Sequence, residues 1–202
     1  DAGETISLTL TGSGLTKSFD YDVSGLTDGT YQFKLDVADT TGAHNNAMTP
    51  VWFAYDTAVP TVVFNANAAD SKPVGPYRNG DFTVQGTVQD ANGISKVEFS
   101  LDNGTTWDDL GITATAGENK AWSKAISAAS NNGAKSLVVR ATDTFGRTSQ
   151  SGAVSVTIDT AAPTGTINAF SGGYYADAQL AVSGTASDGL SGIAKVEYSV
   201  SS

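Results

Sequence analysis

Oxygen-bearing side chains carry most of the chemistry open to this sequence. Asp56, Asp90, Asn92, Asp143, Asp159 and Asp188 all stand at the ends of short apolar runs. Carboxylate and amide oxygens gathered from a linker and two loops are the hard ligands that Ca²⁺ takes. Asp and Asn also form turns by accepting nearby backbone N–H groups, so the same six residues equally fit a structural role. None lies in the dense Asp-x-Asp-x-Asp-Gly spacing of a dedicated Ca²⁺ loop. Both readings stand at this point.

Other reactive patterns are sparse. A Ser-His-Asp relay would have to use His44, the single histidine, which sits in the turn-like run Gly42-Ala43-His44-Asn45-Asn46. Neither a Gly-rich phosphate loop nor a paired-His metal motif occurs. Asp108-Asp109 offers two carboxylates for glycoside hydrolysis, yet adjacent strand residues point to opposite faces. With no cysteine, disulfides, thiolate metal sites and a Cys nucleophile are excluded. Ser100-Leu101-Asp102-Asn103-Gly104-Thr105-Thr106-Trp107 fits the Ser-x-Asp-x-Gly-x-x-Trp spacing of the Asp-box, which recurs around sialidase-like propellers. A propeller needs several copies about 40–50 residues apart, and the sequence has one. The motif therefore reads as a hairpin in which Trp107 folds back as a cap. Trp52, Trp107 and Trp122 could stack on sugar rings, although a lone Trp in a β-domain more often fills the core or caps it. The expectation is a protein that is not an enzyme.

The composition limits the elements that could position these groups. Of 202 residues, 40% are hydrophobic and only 16% charged, and Gly, Thr, Ser and Ala dominate the remainder, a mixture suited to short strands and turns. The net charge of −10 disfavours nucleic acid and anionic membrane surfaces. Divalent cations are the partner class it invites. No apolar run approaches the ~20 residues of a membrane span, so membrane insertion is not expected. Asp1-Ala2-Gly3-Glu4 has neither the basic start nor the apolar stretch of a signal peptide, which places any secretion signal of a parent protein outside this sequence.

The chain repeats itself. Asp56-Thr57-Ala58-Val59-Pro60-Thr61 corresponds to Asp159-Thr160-Ala161-Ala162-Pro163-Thr164, from Pro60 to Pro163 an offset of 103. Thr83-Val84-Gln85-Gly86-Thr87 corresponds to Ala181-Val182-Ser183-Gly184-Thr185, and Lys96-Val97-Glu98-Phe99-Ser100 to Lys195-Val196-Glu197-Tyr198-Ser199. Asp39 corresponds to Asp143, each followed by Thr and, shortly after, Gly. A unit near 100 residues is too long for a solenoid and right for a domain. Its phase predicts the later part of a module in residues 1–58, a complete module in 59–160 and the earlier part of a module in 161–202. The end pieces then belong to a longer array, complete one another between molecules head to tail, or meet within one molecule.

Alternating apolar residues predict the strands. In the complete module the runs are Val62 and Phe64; Phe82, Val84 and Val88; Val97, Phe99 and Leu101; Trp122, Ala125 and Ile126; Leu137, Val139 and Ala141; and Val154, Val156 and Ile158. The first piece offers Ile6, Leu8 and Leu10, then Phe19, Tyr21 and Val23, then Tyr31, Phe33, Leu35 and Val37, and Val51, Phe53 and Tyr55. Six or seven strands per repeat suit a two-sheet sandwich. Its register demands burial of Phe82, Val84, Val97, Phe99, Leu137, Val139, Val154 and Val156, because a one-residue slip would turn each set to solvent. The five-residue junction Asp56-Thr57-Ala58-Val59-Pro60 is short, and proline stiffens it.

The Asp-Thr-Ala-Ala-Pro-Thr junction, Ser183-Gly184-Thr185-Ala186-Ser187-Asp188 with Ser191-Gly192-Ile193, and Val139-Arg140-Ala141-Thr142-Asp143-Thr144-Phe145-Gly146 resemble the bacterial immunoglobulin-like repeats of large secreted or surface-anchored adhesins, S-layer-type proteins and extracellular hydrolases. The resemblance covers nearly the whole chain and departs at Phe145-Gly146-Arg147, where such repeats usually carry Ala-Gly-Asn. It implies an all-β fold of tandem immunoglobulin-like β-sandwich modules, one complete and two partial, in an extracellular, cell-surface or secreted setting. It further implies a non-catalytic spacer or adhesin stalk, with neighbouring modules as partners and a host-surface or glycan receptor for the parent. The alternatives are a carbohydrate-binding accessory module of an extracellular carbohydrate-active enzyme and a subunit of a self-assembling filament or S-layer. In such a sandwich Asp56 would face Asp90, Asn92 and Asp143, and Asp159 would face Asp188, giving Ca²⁺ at module junctions.

Overall fold

The computed structural model describes residues 6–12, 14–45, 48–168 and 181–200. Among them are fifteen strands and no helix: β1 (Gly29–Phe33), β2 (Val37–Ala38), β3 (His44–Asn45), β4 (Val51–Tyr55), β5 (Thr61–Phe64), β6 (Tyr77–Arg78), β7 (Phe82–Gln89), β8 (Ile94–Ser100), β9 (Asp108–Asp109), β10 (Lys120–Ile126), β11 (Gly133–Asp143), β12 (Thr148–Gln150), β13 (Val154–Ile158), β14 (Thr164–Ile167) and β15 (Gly184–Ser187). The protein is all-β. No helix among the described residues is long and apolar enough to cross a membrane. The chain divides into two units, Asp1–Ala58 and Val59–Ser202.

The second unit holds the core. An antiparallel sheet of order β10-β7-β5 and a larger sheet of order β6-β13-β11-β8-β9, with β12 also on β11, bury one shared apolar cluster. Strand β7 follows the alternation: Phe82, Val84, Gly86 and Val88 are buried, and Thr83, Gln85 and Thr87 are half-buried. Val97, Phe99, Leu137, Val139, Ala141, Val156 and Ile158 come from the larger sheet, and Trp122 and Ile126 from β10. Of the eight residues that the register required to be buried, seven are. Val154 is half-buried, because it opens β13 while the next strand, β6, reaches β13 only at Thr157 and Ile158.

Gly86 interrupts the apolar row of β7 for a steric reason. A Cβ there would stand 1.9 Å from the Val63 carbonyl oxygen and 2.7 Å from the Trp122 indole. The missing side chain lets β5 approach closely and leaves a notch that Trp122, directly opposite Gly86 in the register, fills. The indole N–H donates to the Val63 carbonyl at 3.1 Å, and Phe64 meets the ring edge-on at 5.3 Å. The indole is thus buried with its one polar atom satisfied.

The described strands outside the core carry the same registers, shifted by the repeat. In the first unit, β1 pairs with β4 through Gly29↔Tyr55, Tyr31↔Phe53 and Phe33↔Val51. In β11 and β13 the corresponding pairs are Gly133↔Ile158, Lys135↔Val156 and Leu137↔Val154. Strand β14 meets β15 through Ile167↔Gly184 as β5 meets β7 through Phe64↔Gly86. A Cβ on Gly184 would lie 2.0 Å from the Thr166 carbonyl, repeating the contact at Gly86. Finer expectations fail in the end pieces. Ile6, Leu8, Leu10, Phe19, Tyr21 and Val23 lie in no strand, β1 stops at Phe33 short of Leu35, and residues 193–200 are not paired. A strand is defined by its neighbour, and an alternating sequence without one forms no ladder. Residues 169–180 of the last piece lie outside the described residues.

Candidate functional site

The expected acidic residues sit where strands end. Asp90 follows β7, and its Oδ1 accepts the Asn92 N–H at 2.8 Å. Asp143 closes β11 at a register shift after Thr142. Its Oδ1 accepts the N–H groups of Phe145 and Arg147 at 2.7 and 2.9 Å, and its backbone carbonyl accepts the Ser95 hydroxyl at 2.5 Å. Both side chains are buried, and a carboxylate oxygen of Asp90 lies within 4.8 Å of one from Asp143. No ion pair involves either among the described residues. Asn92 is half-buried, and its carbonyl accepts the Thr144 hydroxyl at 3.1 Å.

Each of these aspartates has one oxygen committed to a turn, which leaves the second to be accounted for. The Oδ2 of Asp143 is buried with no hydrogen-bond partner. Burying one charge is costly and burying two of the same sign close together more so, unless a cation or several donors meet them. Asp159, after β13, is better supplied: Oδ1 accepts the Ala161 N–H and Oδ2 the Ser191 N–H, each at 3.0 Å. Asp188 accepts the same Ser191 N–H at 2.8 Å, together with those of Leu190 and Gly192. These bonds, from Leu190 first, hold the Asp188 carboxyl below its ordinary value. Asp159 and Asp188 thus accept from one shared N–H, that of Ser191, a residue the sequence reading did not single out. Asp56 follows β4 in the first unit and makes the equivalent turn, with Oδ1 accepting the Ala58 N–H at 2.9 Å.

The Asp-box segment is a closed hairpin tip. Asn103 and Gly104 take φ values of 58° and 86°, in the left-handed region. Asp102 Oδ1 accepts the Thr106 N–H at 2.8 Å and the Ser100 hydroxyl at 2.8 Å, while Oδ2 accepts the Thr106 hydroxyl at 2.6 Å. Bonds from Thr106, its hydroxyl foremost, lower the Asp102 carboxyl to about 2. Trp107 folds over Gly104, and the Arg140 guanidinium stacks on its ring at 4.2 Å. Arg140 also donates to Glu98 through Nε and Nη2, at 2.9 and 2.6 Å. Burial pushes the Glu98 carboxyl up, and the hydrogen bonds from Lys96 and Arg140 outweigh it, leaving the group below its usual value.

The remaining candidates separate. Trp122 belongs to the core, Trp107 to the hairpin, and Trp52 is exposed in the first unit. His44 is exposed and meets Asp36 through Nδ1 at 3.1 Å. Asp108 pairs with Lys124 at 3.1 Å, and Asp109 Oδ1 accepts the Gly111 N–H at 2.8 Å. A cleft of about 680 Å³ runs past Tyr77, Asp102, Lys135 and Ser155. Its one carboxylate, Asp102, is already tied into the hairpin.

No family model matches the sequence, and no curated protein matches it. Among solved structures, the sulfane dehydrogenase SoxCD from Paracoccus pantotrophus is similar to this chain at 18% identity and a TM-score of 0.35. The likeness covers 56% of this chain and 27% of that one, so the chain spans about a quarter of that protein's length.

The hairpin generates a pH prediction. A carboxyl whose value is lowered to about 2 from 3.8 stabilises the fold above its unfolded value, and that contribution is lost as pH falls through the folded one. Asp102→Asn should therefore lower the melting temperature at pH 7. It should also flatten the wild type's loss of stability as the pH drops from about 4 to about 2. Parallel melting-temperature curves for the two proteins across that window would contradict the assignment.

Proposed function

We propose that the chain is a non-catalytic structural spacer, a stretch of stalk built from tandem immunoglobulin-like β-sandwich modules in a bacterial cell-surface or secreted multidomain protein. The observation that carries this reading is the repeated register. The β5–β7 and β11–β13 pairings of the second unit recur in β14–β15 and β1–β4, down to the close approach at Gly86 and Gly184. A unit reproduced with its backbone contacts and short proline-bearing connections suits a part whose work is length and stiffness. The polar groups support the same reading, since Asp102, Asp108, Asp109 and Glu98 are occupied in turns and ion pairs. Replacing residues 59–160 in the parent by an unrelated β-sandwich of equal length should preserve the parent's surface activity, whereas deleting them should reduce it. Loss of activity on replacement would contradict a spacer role and favour a binding module.

Within this reading Ca²⁺ stiffens the module ends. The buried Asp90–Asp143 pair, with Asp143 Oδ2 unpartnered, has the oxygen chemistry such an ion requires. Ligand at a hundredfold its dissociation constant stabilises the native state by about 2.7 kcal/mol. Millimolar Ca²⁺ should accordingly raise the melting temperature over that in chelator by several degrees, and Asp143→Asn should abolish the difference. An identical melting curve in Ca²⁺ and in chelator would leave both residues as turn formers only.

A further inference from the structure

Four Asn-Gly steps stand in the sequence: Asn79-Gly80, Asn92-Gly93, Asn103-Gly104 and Asn132-Gly133. Each sets a side-chain amide beside a backbone nitrogen that no Cβ shields. Ring closure between the two deamidates the asparagine. It requires the glycine N–H to be released from any hydrogen bond and the asparagine amide to be free to turn towards it.

The fold withholds these conditions at three of the steps. The Gly93 N–H donates to the Asp90 carbonyl at 3.4 Å, and a Cβ on Gly93 would stand 2.7 Å from the Ala114 carbonyl oxygen, so this step is packed into its loop. The Gly104 N–H donates to the buried Ser100 hydroxyl at 2.8 Å, while Asn103 Oδ1 accepts the Ser136 hydroxyl at 3.2 Å. Asn132 Oδ1 accepts the Thr160 N–H at 3.2 Å, and Gly133 enters the ladder of β11 opposite Ile158.

Asn79 and Gly80 differ. Both are exposed in the link from β6 to β7. Among the described residues no hydrogen bond involves the Gly80 N–H or the Asn79 side chain, and nothing lies within 4 Å of a Cβ placed on Gly80. The residues on either side are anchored: the Arg78 carbonyl accepts the Asp159 N–H and Asp81 Oδ1 the Ala128 N–H, each at 2.8 Å. The repeat bears on the product. At the offset that takes Gly86 to Gly184, Asn79 corresponds to Asp177, so the sister module carries a carboxylate at this place from the outset.

We propose that Asn79-Gly80 is a self-modification site, converting to aspartate and isoaspartate while the fold preserves the other three Asn-Gly steps. The Gly80 nitrogen gives its proton to hydroxide and bonds to the Asn79 Cγ. The side-chain nitrogen takes a proton from water and leaves as ammonia. Water then opens the resulting succinimide at either of its C–N bonds. The new carboxylate adds a negative charge to the hollow lined by Tyr77, Arg78 and Asp159. This chemistry is independent of the spacer reading, and each can fail without the other.

The test ages the full 202-residue chain in warm, mildly alkaline buffer, with and without urea. Samples are cut with pepsin at acidic pH, and fragmentation mass spectrometry locates each exchange of NH₂ for OH. In the folded protein position 79 should convert about tenfold faster than positions 92, 103 and 132, the factor that a hydrogen bond's worth of protection gives. In urea the four rates should converge. Gly80→Ala should slow conversion at position 79 by a similar factor with the melting temperature unchanged, since Gly80 lies outside the left-handed region and its Cβ would meet open space. The proposal is overturned if any of the other three steps converts as fast as position 79 in the folded protein. An intact Asn79 after ageing, or conversion of Gly80→Ala at the wild-type rate, would overturn it equally.

Discussion

Where the Val63 carbonyl oxygen lies, no residue but glycine fits at position 86. That contact decides how closely β5 and β7 approach, and so where the indole of β10 comes to rest. Seated over the gap, Trp122 excludes water from the end of the core, meets Phe64 edge-on and satisfies its own N–H on the carbonyl that created the notch. An aromatic side chain of this kind buries about 150–250 Å². At roughly 25 cal/mol per Å² of apolar surface that is about 4–6 kcal/mol before entropy is subtracted. Few other contacts in the protein combine backbone approach, apolar burial and a buried donor at one point.

The larger sheet depends on that core in turn. Asp143, at the end of its strand β11, comes close to Asp90, which follows β7 of the smaller sheet, and the larger sheet carries Arg140 across Glu98 and onto Trp107. The polar features are layered outside the apolar ones: a hairpin tip held by Asp102, a cation bridge at Glu98, and strand-end carboxylates with one oxygen in a turn. Such an arrangement spends its polar groups on fixing shape. Two buried atoms stand apart, Asp143 Oδ2 and Arg78 Nε, each without a hydrogen-bond partner, and the first is the oxygen that the proposed Ca²⁺ would take.

Much of this was legible in the sequence, for reasons that differ by residue. The alternation in Phe82–Val88 reports which face is buried, and the structure agrees with it; in β11 Leu137, Val139 and Ala141 are buried as expected, and Val138 between them is buried as well. The hairpin at Asp102 was legible because its turn chemistry is local. Ser191 and Ser95 were not, since a backbone or hydroxyl donor to a distant aspartate leaves no spacing signal. Arg78 was missed as well. It is buried against Phe82, 4.6 Å from the ring, and paired to Asp70 at 2.9 Å, inside a run of Asn, Ala, Asp, Ser and Gly with no period. The end pieces mark a further limit. Val196 and Tyr198 alternate as Val97 and Phe99 do, yet form no strand, because pairing is a property of two segments.

The central claim is that the core closes through the notch at Gly86, and one substitution addresses it directly. Gly86→Ala adds a single methyl group where a carbonyl and an indole already stand, and Gly152→Ala adds the same group where nothing lies within 4 Å. Urea unfolding of both variants beside the wild type should show Gly86→Ala destabilised by about 1–3 kcal/mol, the range for overpacking, and Gly152→Ala within about 0.5 kcal/mol of the wild type. Equal midpoints for the two variants would contradict the notch as the constraint on which the fold is built.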